Sequence, residues 1–449
     1  MCLEGVQVSF FWLGYGSIYD NLFFVIGNQL EKLWHTTRGR NRLMLDPITK
    51  DSDLTWFVSA GEPSGDLLGA DLVKEMGDQM PHLKPVGICG PEMRAAGVAE
   101  LVGIEDLSVM GFVEVIKHFP AIKRVEVNLI SYLERHRPEF AVLVDYPGFH
   151  MRVAEALKAL GIPVFQFVAP QLWAWGEKRT PKLKKVTDHV FGIVPFEEKF
   201  FRDRLVDYTY VGTPQVDRAE AAVDDRTKFK LQGDKTLFGF FPGSRVGEVK
   251  RVLPAMLNMW PTIMSALECE IVVSVAPSIK VGVFSEILAS WEGADDIGSA
   301  LESDGFWQSP DRPIRLIKGN SLDLMASVDV ALVTSGTATL ECGLTGTPLA
   351  VIYVANKVSY AIASRMVKLD FVSLVNLVAE EEVVKEYVQY FDCDEVASHL
   401  LALANDSELR KEKITKLKNL KNRLKGQPGR RTAKEIFRFL SHSPNVQIS

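Results

Sequence analysis

Residues 332–344, which read LVTSGTATLECGL, constrain the fold more than any other stretch of the chain. The apolar run at 328–333 predicts a buried strand, and a helical pattern begins immediately after the turn at 334–337. In an α/β protein such a turn lies at the carboxyl edge of the sheet, where small residues and a helix N-terminus suit a phosphate. The simpler interpretation is an ordinary capped helix, because Ser and Thr are preferred caps.

Two other strand–turn–helix patterns carry phosphate-compatible turns. GEPSGD at 61–66 follows one apolar run, and PGSR at 242–245 follows another. The first turn matches neither GxGxxG nor a Walker loop, so a dinucleotide or P-loop site loses support. Arg245 in the second turn suits a diphosphate, because charge-assisted hydrogen bonds are about twice as strong as neutral ones. Together the turns favour a nucleotide diphosphate over a lone phosphate.

Apolar runs typical of buried strands alternate with helical patterns along the chain. They lie at residues 54–60, 85–89, 140–145, 162–168, 189–194, 208–211, 238–241, 270–275, 314–317, 328–333 and 348–353. This alternation predicts an α/β fold with two Rossmann-like domains facing a cleft. Residues 279–312 show no clear period, and we interpret much of that stretch as a surface insertion.

Length and composition agree with two globular domains. The 449 residues exceed one ordinary core, and the hydrophobic content of 47% and charged content of 24% are globular values. We predict an N-terminal extension at 1–53, an N-terminal domain at 54–213, a linker at 214–235 and a C-terminal domain with its helices at 236–449. The extension is a candidate targeting segment, although it is too acidic for a clean transit peptide and is a poor secretory signal.

Several classes of function are disfavoured by charge and cysteine usage. The net charge of −6 argues against a nucleic-acid protein held by a basic field. The five cysteines are scattered and never spaced CxxC, and the eight histidines form no pair at metal-ligand spacing. We therefore expect neither a disulfide framework nor a metal site. No apolar run reaches the roughly 18 residues that a membrane span needs.

The run at 140–145 ends in a carboxylate, Asp145, before the chain turns. An acid at the carboxyl end of a central strand faces the ligand crevice of an open α/β sheet. Asp145 could instead cap the helix that follows. After the next strand, Trp173 and Trp175 stand in a loop that either packs against the protein or lines a sugar or acyl site.

A dense apolar set with nearby cations occupies residues 109–122. One interpretation is a buried helix, and the other is an exposed patch that contacts anionic membrane lipids. The apolar members are Val109, Met110, Phe112, Val113, Val115, Ile116, Phe119 and Ile122.

Six motifs occur in the order found in lipid-A-disaccharide synthases, and the chain resembles that family from about residue 54 to residue 440. They are SAGEPSGDLLGA, VDYPGF, WAW, PGSR, SGTATLE and VSLVNLVA. The resemblance implies a GT-B glycosyltransferase whose C-terminal helices pack back toward the first domain. It further implies an inverting enzyme without a cofactor. That enzyme would transfer 2,3-diacylglucosamine from UDP-2,3-diacylglucosamine to 2,3-diacylglucosamine 1-phosphate, giving lipid A disaccharide 1-phosphate and UDP.

The resemblance also implies roles for individual residues. Asp145 would be the base that takes a proton from the acceptor's 6-hydroxyl, and Glu62 would belong to the same catalytic site. The diphosphate would rest on Arg245 and the 335–337 turn, while Glu341 would take the ribose hydroxyls. The residues implied in substrate or UDP binding are Ser64, Arg245, Ser335, Gly336, Thr337, Glu341 and Asn376. Those implied in membrane or acyl contact are Met110, Phe112, Val113, Val115, Ile116 and Phe119.

Three positions depart from the family's pattern. Gly148 stands where a second Asp is frequent, Val375 where a Pro is usual, and Thr213 where a His is common. If the second Asp is essential, the chain is slow or altered in substrate. Two alternatives therefore stay open: another GT-B UDP-sugar enzyme such as a 2-epimerase, and a non-catalytic UDP-sugar or lipid-binding protein.

Two observations bear on the location of the protein in the cell: the usual location of the family, and two stretches of the chain that carry none of the family's motifs. The family's usual place is the cytoplasmic face of a bacterial inner membrane. The extension at 1–53 and the irregular stretch at 279–312 are more typical of a eukaryotic organellar copy, so we favour a peripheral membrane protein of the mitochondrion. We expect contact with anionic membrane and no nucleic-acid partner, and a homodimer is left open.

Overall fold

The computed structural model describes residues 54–106, 112–231, 234–289, 294–356, 360 and 370–442, without the side chains of 112–121 and Trp175. Packing divides the described residues into an N-terminal unit, 54–214 with 426–442, and a C-terminal unit, 215–425. Residues 215–235, expected to be a linker, therefore pack with the C-terminal unit. Residues 426–442, assigned from the sequence to the C-terminal domain, pack with the N-terminal unit. The predicted extension lies outside the described residues.

The N-terminal unit is built on a parallel sheet whose described strands follow the order β3-β2-β1-β4-β5-β6-β7. The strands are β1 Thr55–Ala60, β2 Lys84–Cys89, β3 Ala99–Gly103, β4 Ala141–Val144, β5 Val164–Phe167, β6 His189–Gly192 and β7 Tyr208–Tyr210. β1, β4 and β5 are buried along their whole length, which explains their continuous apolar runs. The strand order reverses between β1 and β4, and α/β sheets bind ligands at the carboxyl edge of such a switch point.

The C-terminal unit repeats this plan, with the described strands in the order β10-β11-β9-β8-β12-β13-β14. The strands are β8 Thr236–Phe241, β9 Cys269–Val275, β10 Phe306–Gln308, β11 Ile314–Lys318, β12 Val330–Thr334, β13 Leu349–Tyr353 and β14 Glu386–Val388. β10 is antiparallel to β11, and the other pairs are parallel. Here the order reverses between β8 and β12, so their carboxyl ends border the second switch point.

Helices follow most strands in both units. In the N-terminal unit they are α1 Pro63–Gln79, α2 Pro91–Ala95, α3 Phe112–His136, α4 Pro147–Ala159, α5 Leu172–Trp175, α6 Thr180–Val186 and α7 Glu197–Arg202. In the C-terminal unit they are α8 Gln215–Glu220, α9 Val246–Leu257, α10 Trp260–Ala266, α11 Gly282–Ile287, α12 Ile297–Ser303, α13 Ser321–Ser327, α14 Thr337–Thr345, α15 Leu374–Ala379, α16 Cys393–Asn405 and α17 Ser407–Leu424. Helix α18, Pro428–Ser441, returns to the N-terminal unit. No helix among the described residues is long and apolar enough to cross a bilayer.

Helix α18 completes the core of the N-terminal unit. Ala433, Ile436 and Leu440 recur on one face and are buried in the same cluster as strands β1, β4 and β5. At the start of the helix, a Cβ on Gly429 would lie 3.0 Å from the backbone carbon of Asp71. The missing side chain lets α18 lie directly against α1. The expected return of the C-terminal helices is thus confirmed for α18, whereas α16 and α17 belong to the C-terminal unit.

The interpretation of 279–312 as a surface insertion is wrong for the residues that the structure describes there. This stretch contains α11, α12 and β10. Phe284, Ile297, Leu301 and Trp307 from these elements are buried in the main core of the C-terminal unit. The periodicity was hidden because the elements are short, at three to seven residues each, and turns separate them.

Candidate active site

The turn after β4 has an uncommon backbone conformation. Asp145 and Tyr146 have φ angles of 54° and 50°, in the left-handed region that residues other than glycine rarely adopt. The ring of Tyr146 lies against the turn after β1, where a Cβ on Gly61 would stand 2.2 Å from its Cγ atom. The two turns at the switch point therefore fit together only with glycine at position 61. Such strain concentrates at functional sites.

Three hydrogen bonds hold the backbone of Asp145. Its N–H donates to the carbonyl of Phe167 at 2.8 Å, and its own carbonyl accepts from Gln166 Nε2 at 3.3 Å and from His150 Nδ1 at 2.6 Å. The other ring nitrogen of His150 lies 2.8 Å from Ser59 Oγ. Because a carbonyl only accepts, His150 carries its proton on Nδ1 and accepts from the serine hydroxyl. Burial lowers the pKa of His150 to about 4, which keeps the ring neutral.

The Asp145 carboxyl has the acidity of a general base. Burial raises its pKa to about 6, and a hydrogen bond from the Tyr146 backbone acts in the opposite direction. The group is therefore mostly ionised at pH 7 yet holds a proton far better than an exposed aspartate. Bases with a pKa near the working pH are the most effective in proton transfer.

The GEPSGD turn leads from β1 into α1 beside Asp145. Glu62 occupies the N-cap position of α1, and Glu62 and Ser64 are both half-buried. Asp66 plays a structural part, since its carboxylate accepts from the backbone N–H groups of Gly90 at 2.7 Å and Glu92 at 2.9 Å. It thus caps the start of α2. The motif combines candidate catalytic positions with one structural acid, a distinction that the sequence does not reveal.

The turn between β12 and α14 presents an open, glycine-dependent backbone. Gly336 has φ 150° and ψ −166°, and no described atom lies within 4 Å of the place where its Cβ would stand. The Ser335 hydroxyl donates to the carbonyl of Val372 at 2.8 Å. Thr337 begins α14, so the helix N-terminus directly follows this open backbone. Because the Ser335 hydroxyl already donates its proton to Val372, only the backbone N–H groups of this turn would be available to an anion.

The PGSR turn lies against the 334–337 turn. A Cβ on Gly243, which has φ 107°, would stand 3.1 Å from Thr334 Cγ2. Arg245 occupies the N-cap position of α9, and its Nη1 donates to Glu248 Oε1 at 2.8 Å. Its side chain is 41% exposed. The structure therefore places the turn that carries Arg245 next to the turn that leads into α14, at the switch point between β8 and β12.

Glu341 lies on α14 five residues after Gly336, and its side chain is 13% exposed. Arg218 of α8 pairs with it at 2.9 Å between Nη1 and Oε1. Burial raises the pKa of Glu341, and Arg218 counteracts that shift. No sequence signal pointed to Arg218, because it lies in a polar stretch expected to be a linker.

Asn376 is fully buried, and its amide makes four hydrogen bonds within the protein. Oδ1 accepts from the N–H groups of Val383 and Val384, while Nδ2 donates to the carbonyl of Val384 and to Glu386 Oε1. All the hydrogen-bonding positions of the amide are therefore occupied. Glu386, which the sequence reasoning missed, also accepts from the N–H of Ser373 at 2.7 Å. A direct contact of Asn376 with UDP stays a prediction, and in this structure the side chain orders the loop.

The side chains predicted to contact membrane or acyl chains are not among those that the structure describes. Met110 lies outside the described residues. The backbone of 112–121 forms the first part of α3, but its side chains are also outside. The prediction for Phe112, Val113, Val115, Ile116 and Phe119 stays a prediction.

Comparison with known proteins shows to which family the chain belongs. A family model described as lipid-A-disaccharide synthetase matches residues 56–439. The chain belongs to the lipid-A-disaccharide synthase family. A lipid-A-disaccharide synthase of Trichlorobacter lovleyi is 35% identical over 374 residues, which cover 82% of this chain and 93% of that protein. Membership in the lipid-A-disaccharide synthase family makes the chain a glycosyltransferase with a UDP-sugar donor.

Solved structures confirm the GT-B fold. The glycotransferase of kitacinnamycin superimposes with a TM-score of 0.54 at 14% identity, covering 86% of this chain and 98% of that one. The UDP-GlcNAc 2-epimerase of Neisseria meningitidis, solved with UDP-GlcNAc, superimposes with a TM-score of 0.53 at 12% identity. The match covers 87% of this chain and 99% of the epimerase. These likenesses concern the fold, so the epimerase alternative gains no support against lipid-A-disaccharide synthase. The predicted mitochondrial location finds no support either, since the synthase relatives are bacterial.

Proposed function

We propose that the chain transfers 2,3-diacylglucosamine from UDP-2,3-diacylglucosamine to 2,3-diacylglucosamine 1-phosphate, with inversion at the anomeric carbon. The products are lipid A disaccharide 1-phosphate and UDP. Family membership supports the two substrates. The observation that carries the catalytic assignment is Asp145, a carboxylate at the carboxyl end of β4 whose pKa burial raises to about 6.

In the proposed step, the Asp145 carboxylate takes the proton of the acceptor's 6-hydroxyl. The hydroxyl oxygen forms a bond to the donor's anomeric carbon while the bond from that carbon to the β-phosphate oxygen breaks. The electron pair of the broken bond leaves with UDP. Base catalysis of this kind is typically worth about 10²- to 10⁴-fold in rate. Glu62, which follows the neighbouring strand β1, is proposed to orient the acceptor hydroxyl.

The leaving diphosphate is proposed to bind the turn at 334–337 together with Arg245. Backbone N–H groups at the start of α14 and the guanidinium would stabilise the charge that develops on UDP. Arg245 would exchange its partner Glu248 for phosphate oxygens, which suit its forked geometry. Glu341, held by Arg218, is proposed to accept hydrogen bonds from the ribose hydroxyls.

An apolar cavity in the N-terminal unit suits an acyl chain of the acceptor. It measures about 630 Å³ and lies next to the GEPSGD turn, at the start of α1. The residues that line it are Pro63, Asp66, Leu67, Pro91, Glu92, Ile104 and Glu105. Leu67 is 45% exposed, and the Asp66 carboxylate is already satisfied by backbone N–H groups. The cavity therefore offers mostly apolar surface with three carboxylates in its lining, and its volume is within the usual size range of ligand pockets.

The test is an assay with both acylated sugars. We expect UDP release and disaccharide formation only when acceptor is present, and an Asp145→Asn variant that binds UDP normally but turns over about 10²- to 10⁴-fold more slowly. Donor consumption at the same rate without acceptor would contradict the transferase and favour epimerase chemistry. Full turnover by Asp145→Asn would show that another group is the base.

We also propose peripheral contact with the cytoplasmic face of a bacterial inner membrane, because both substrates carry acyl chains. A Phe112→Asp, Val113→Asp double variant should move from vesicle-bound to free protein in a flotation assay with anionic vesicles. Unchanged flotation would place the contact elsewhere. The homodimer stays a prediction that a sedimentation measurement can check.

A further inference from the structure

Glu197 is a buried carboxyl that the proposed step does not use. It begins α7, shortly after β6, and is 2% exposed. Its Oε1 accepts from Trp173 Nε1 at 3.0 Å, and its Oε2 lies 3.1 Å from the hydroxyl of Tyr208. Trp173 belongs to α5, in the loop that follows β5. The carboxyl thus joins three segments at the carboxyl edge of the N-terminal sheet.

The surroundings of Glu197 favour its neutral form. Burial raises its pKa to about 8, while the Trp173 and Tyr208 hydrogen bonds lower it, and the charge of Asp145 adds to the rise. Among the described residues no cation pairs with this carboxyl. The acid next to it on α7, Glu198, is paired with Arg202 at the surface. A buried charge without a counter-ion is costly, so the proton is retained.

The hydrogen bonds around Tyr208 agree with a protonated Glu197. The tyrosine hydroxyl lies 3.1 Å from Glu197 Oε2 and also 3.1 Å from the carbonyl of Val194. A tyrosine has one proton, so it can donate fully to one of these acceptors. With Glu197 protonated, the carboxyl donates to Tyr208 and Tyr208 donates to Val194. That arrangement makes one more hydrogen bond than the ionised form.

We propose that Glu197 is a positioning residue that works in its neutral form, holding the Trp173 loop next to the Asp145 turn through one donated and one accepted hydrogen bond. The loop follows β5, which pairs with β4, and Gln166 of β5 contacts the Asp145 carbonyl. Loss of the Glu197 proton leaves an unpaired buried charge and loosens the loop. For turnover, this inference rests on the proposed function, in which Asp145 is the base.

Asp145 and Glu197 are required in opposite protonation states, and together they set the lower and upper limits of the pH range in which the enzyme is active. Asp145 must be ionised, which limits activity below about pH 6, and Glu197 must be protonated, which limits it above about pH 8. The groups around Glu197 that titrate or carry charge are Asp145 after β4, Tyr208 and Tyr210 on β7, and Glu198 on its own helix. Asp145, whose pKa is about 6, is already ionised at pH 8. Burial raises the pKa of Tyr208, so its hydroxyl keeps its proton there, and we assign the alkaline limit to Glu197.

The test compares pH–rate profiles of the full chain and of Glu197→Gln. A glutamine amide can donate to Tyr208 and accept from Trp173, as the neutral acid does. We expect kcat of the unaltered enzyme to fall above about pH 8, and the fall to disappear or move upward by at least about one pH unit in Glu197→Gln. Glu198→Gln, the matched exposed control, should follow the unaltered profile. Identical alkaline falls in all three proteins would overturn the proposal.

A readout that does not depend on turnover separates this proposal from the proposed function. Trp173 fluorescence, obtained by subtracting the Trp173→Phe variant, should change with a midpoint near pH 8 in the unaltered protein and stay constant in Glu197→Gln. A constant signal in the unaltered protein between about pH 7 and 9.5 would overturn the role of Glu197 whatever the enzyme catalyses. The titration remains decisive if the assay shows no transferase activity.

Discussion

The Nδ1 atom of His150 lies 2.6 Å from the carbonyl oxygen of Asp145, five residues earlier in the chain. This contact joins a neutral, fully buried imidazole to the backbone of the residue that we propose as the base. The carbonyl belongs to a left-handed turn, so the hydrogen bond compensates part of the strain. His150 therefore holds the backbone of the turn that carries Asp145, and its own ring is buried away from solvent.

A His150→Phe substitution should loosen the Asp145 turn. A phenyl ring fills similar space but donates no hydrogen bond, so the Asp145 carbonyl and the Ser59 hydroxyl each lose a partner. We expect a loss of about 1–3 kcal/mol in the free energy of unfolding and about a tenfold fall in kcat, measured by urea unfolding and steady-state kinetics. Ser59→Ala removes only the hydrogen bond between the serine hydroxyl and His150 Nε2 and serves as the control. We expect its kcat to be nearly unchanged. Equal kcat losses in both variants would argue against a specific role for the carbonyl contact.

The raised pKa of Asp145 predicts how stability depends on pH. The folded state holds this proton up to about pH 6, whereas the unfolded chain releases it near its ordinary value of 3.8. Between these values the folded state binds more protons, so stability falls as pH rises. Asp145→Asn removes the effect and should be about 1–2 kcal/mol more stable at pH 8, allowing for partial exposure. Below about pH 4 the two proteins should unfold alike in urea, and a variant that is less stable at pH 8 would contradict the assignment.

Gly336→Ala should damage the diphosphate turn through the backbone alone. The space around the added Cβ is open, but φ of 150° with ψ of −166° suits only glycine. We expect about 1–3 kcal/mol of destabilisation and a raised KM for the UDP-sugar, measured by thermal unfolding and kinetics. Gly298→Ala is the matched control, since Gly298 lies in α12 with equally open surroundings and no positive φ. The Gly298→Ala control should gain up to about 1 kcal/mol in the free energy of unfolding. A similar gain for Gly336→Ala would show that the turn tolerates a side chain.

Arg245→Ala should weaken the binding of UDP. Loss of a charged hydrogen bond to phosphate costs about 1.5–3 kcal/mol, which corresponds to a Kd roughly 10- to 100-fold higher by calorimetry. Arg245→Lys should recover part of the affinity, because a lysine keeps the charge but not the forked geometry. Lys250→Ala removes a nearby cation that pairs with Glu286 at the surface and should leave UDP binding unchanged. Equal losses in the Arg245 and Lys250 alanine variants would indicate a general field effect instead of a specific contact.

Much of the fold could be predicted because parallel strands buried on both faces leave continuous apolar runs. Runs such as 328–333 indicated the strands, and the small-residue turns after them proved to lie at the two switch points that the strand order defines. The edge strands β3, β10 and β14 were not predicted from the sequence, because they are short and partly exposed. Their pairing is decided by the neighbouring strands rather than by their own sequence.

The position of a candidate site residue could be predicted where that residue directly follows a central strand, as Asp145 and the 334–337 turn do. It was not predictable where the partner comes from a distant part of the chain. Glu197 depends on Trp173 and Tyr208, 24 residues before it and 11 after it. Asn376 carries no local sign that its amide would be occupied by the backbone at 383–384. Only the folded topology brings such groups together.

Helix α18 has a consequence for the order in which the two units complete their folding during synthesis. Its buried face, with Ala433, Ile436 and Leu440, fills the core around β1, β4 and β5, although it is synthesised about 370 residues after β1. Domains usually fold in turn as they leave the ribosome. Here the first unit to emerge cannot complete its core until α18 has been synthesised, whereas the second unit already has its own core by residue 425. The half of the enzyme that carries the proposed base is thus the last to become fully folded.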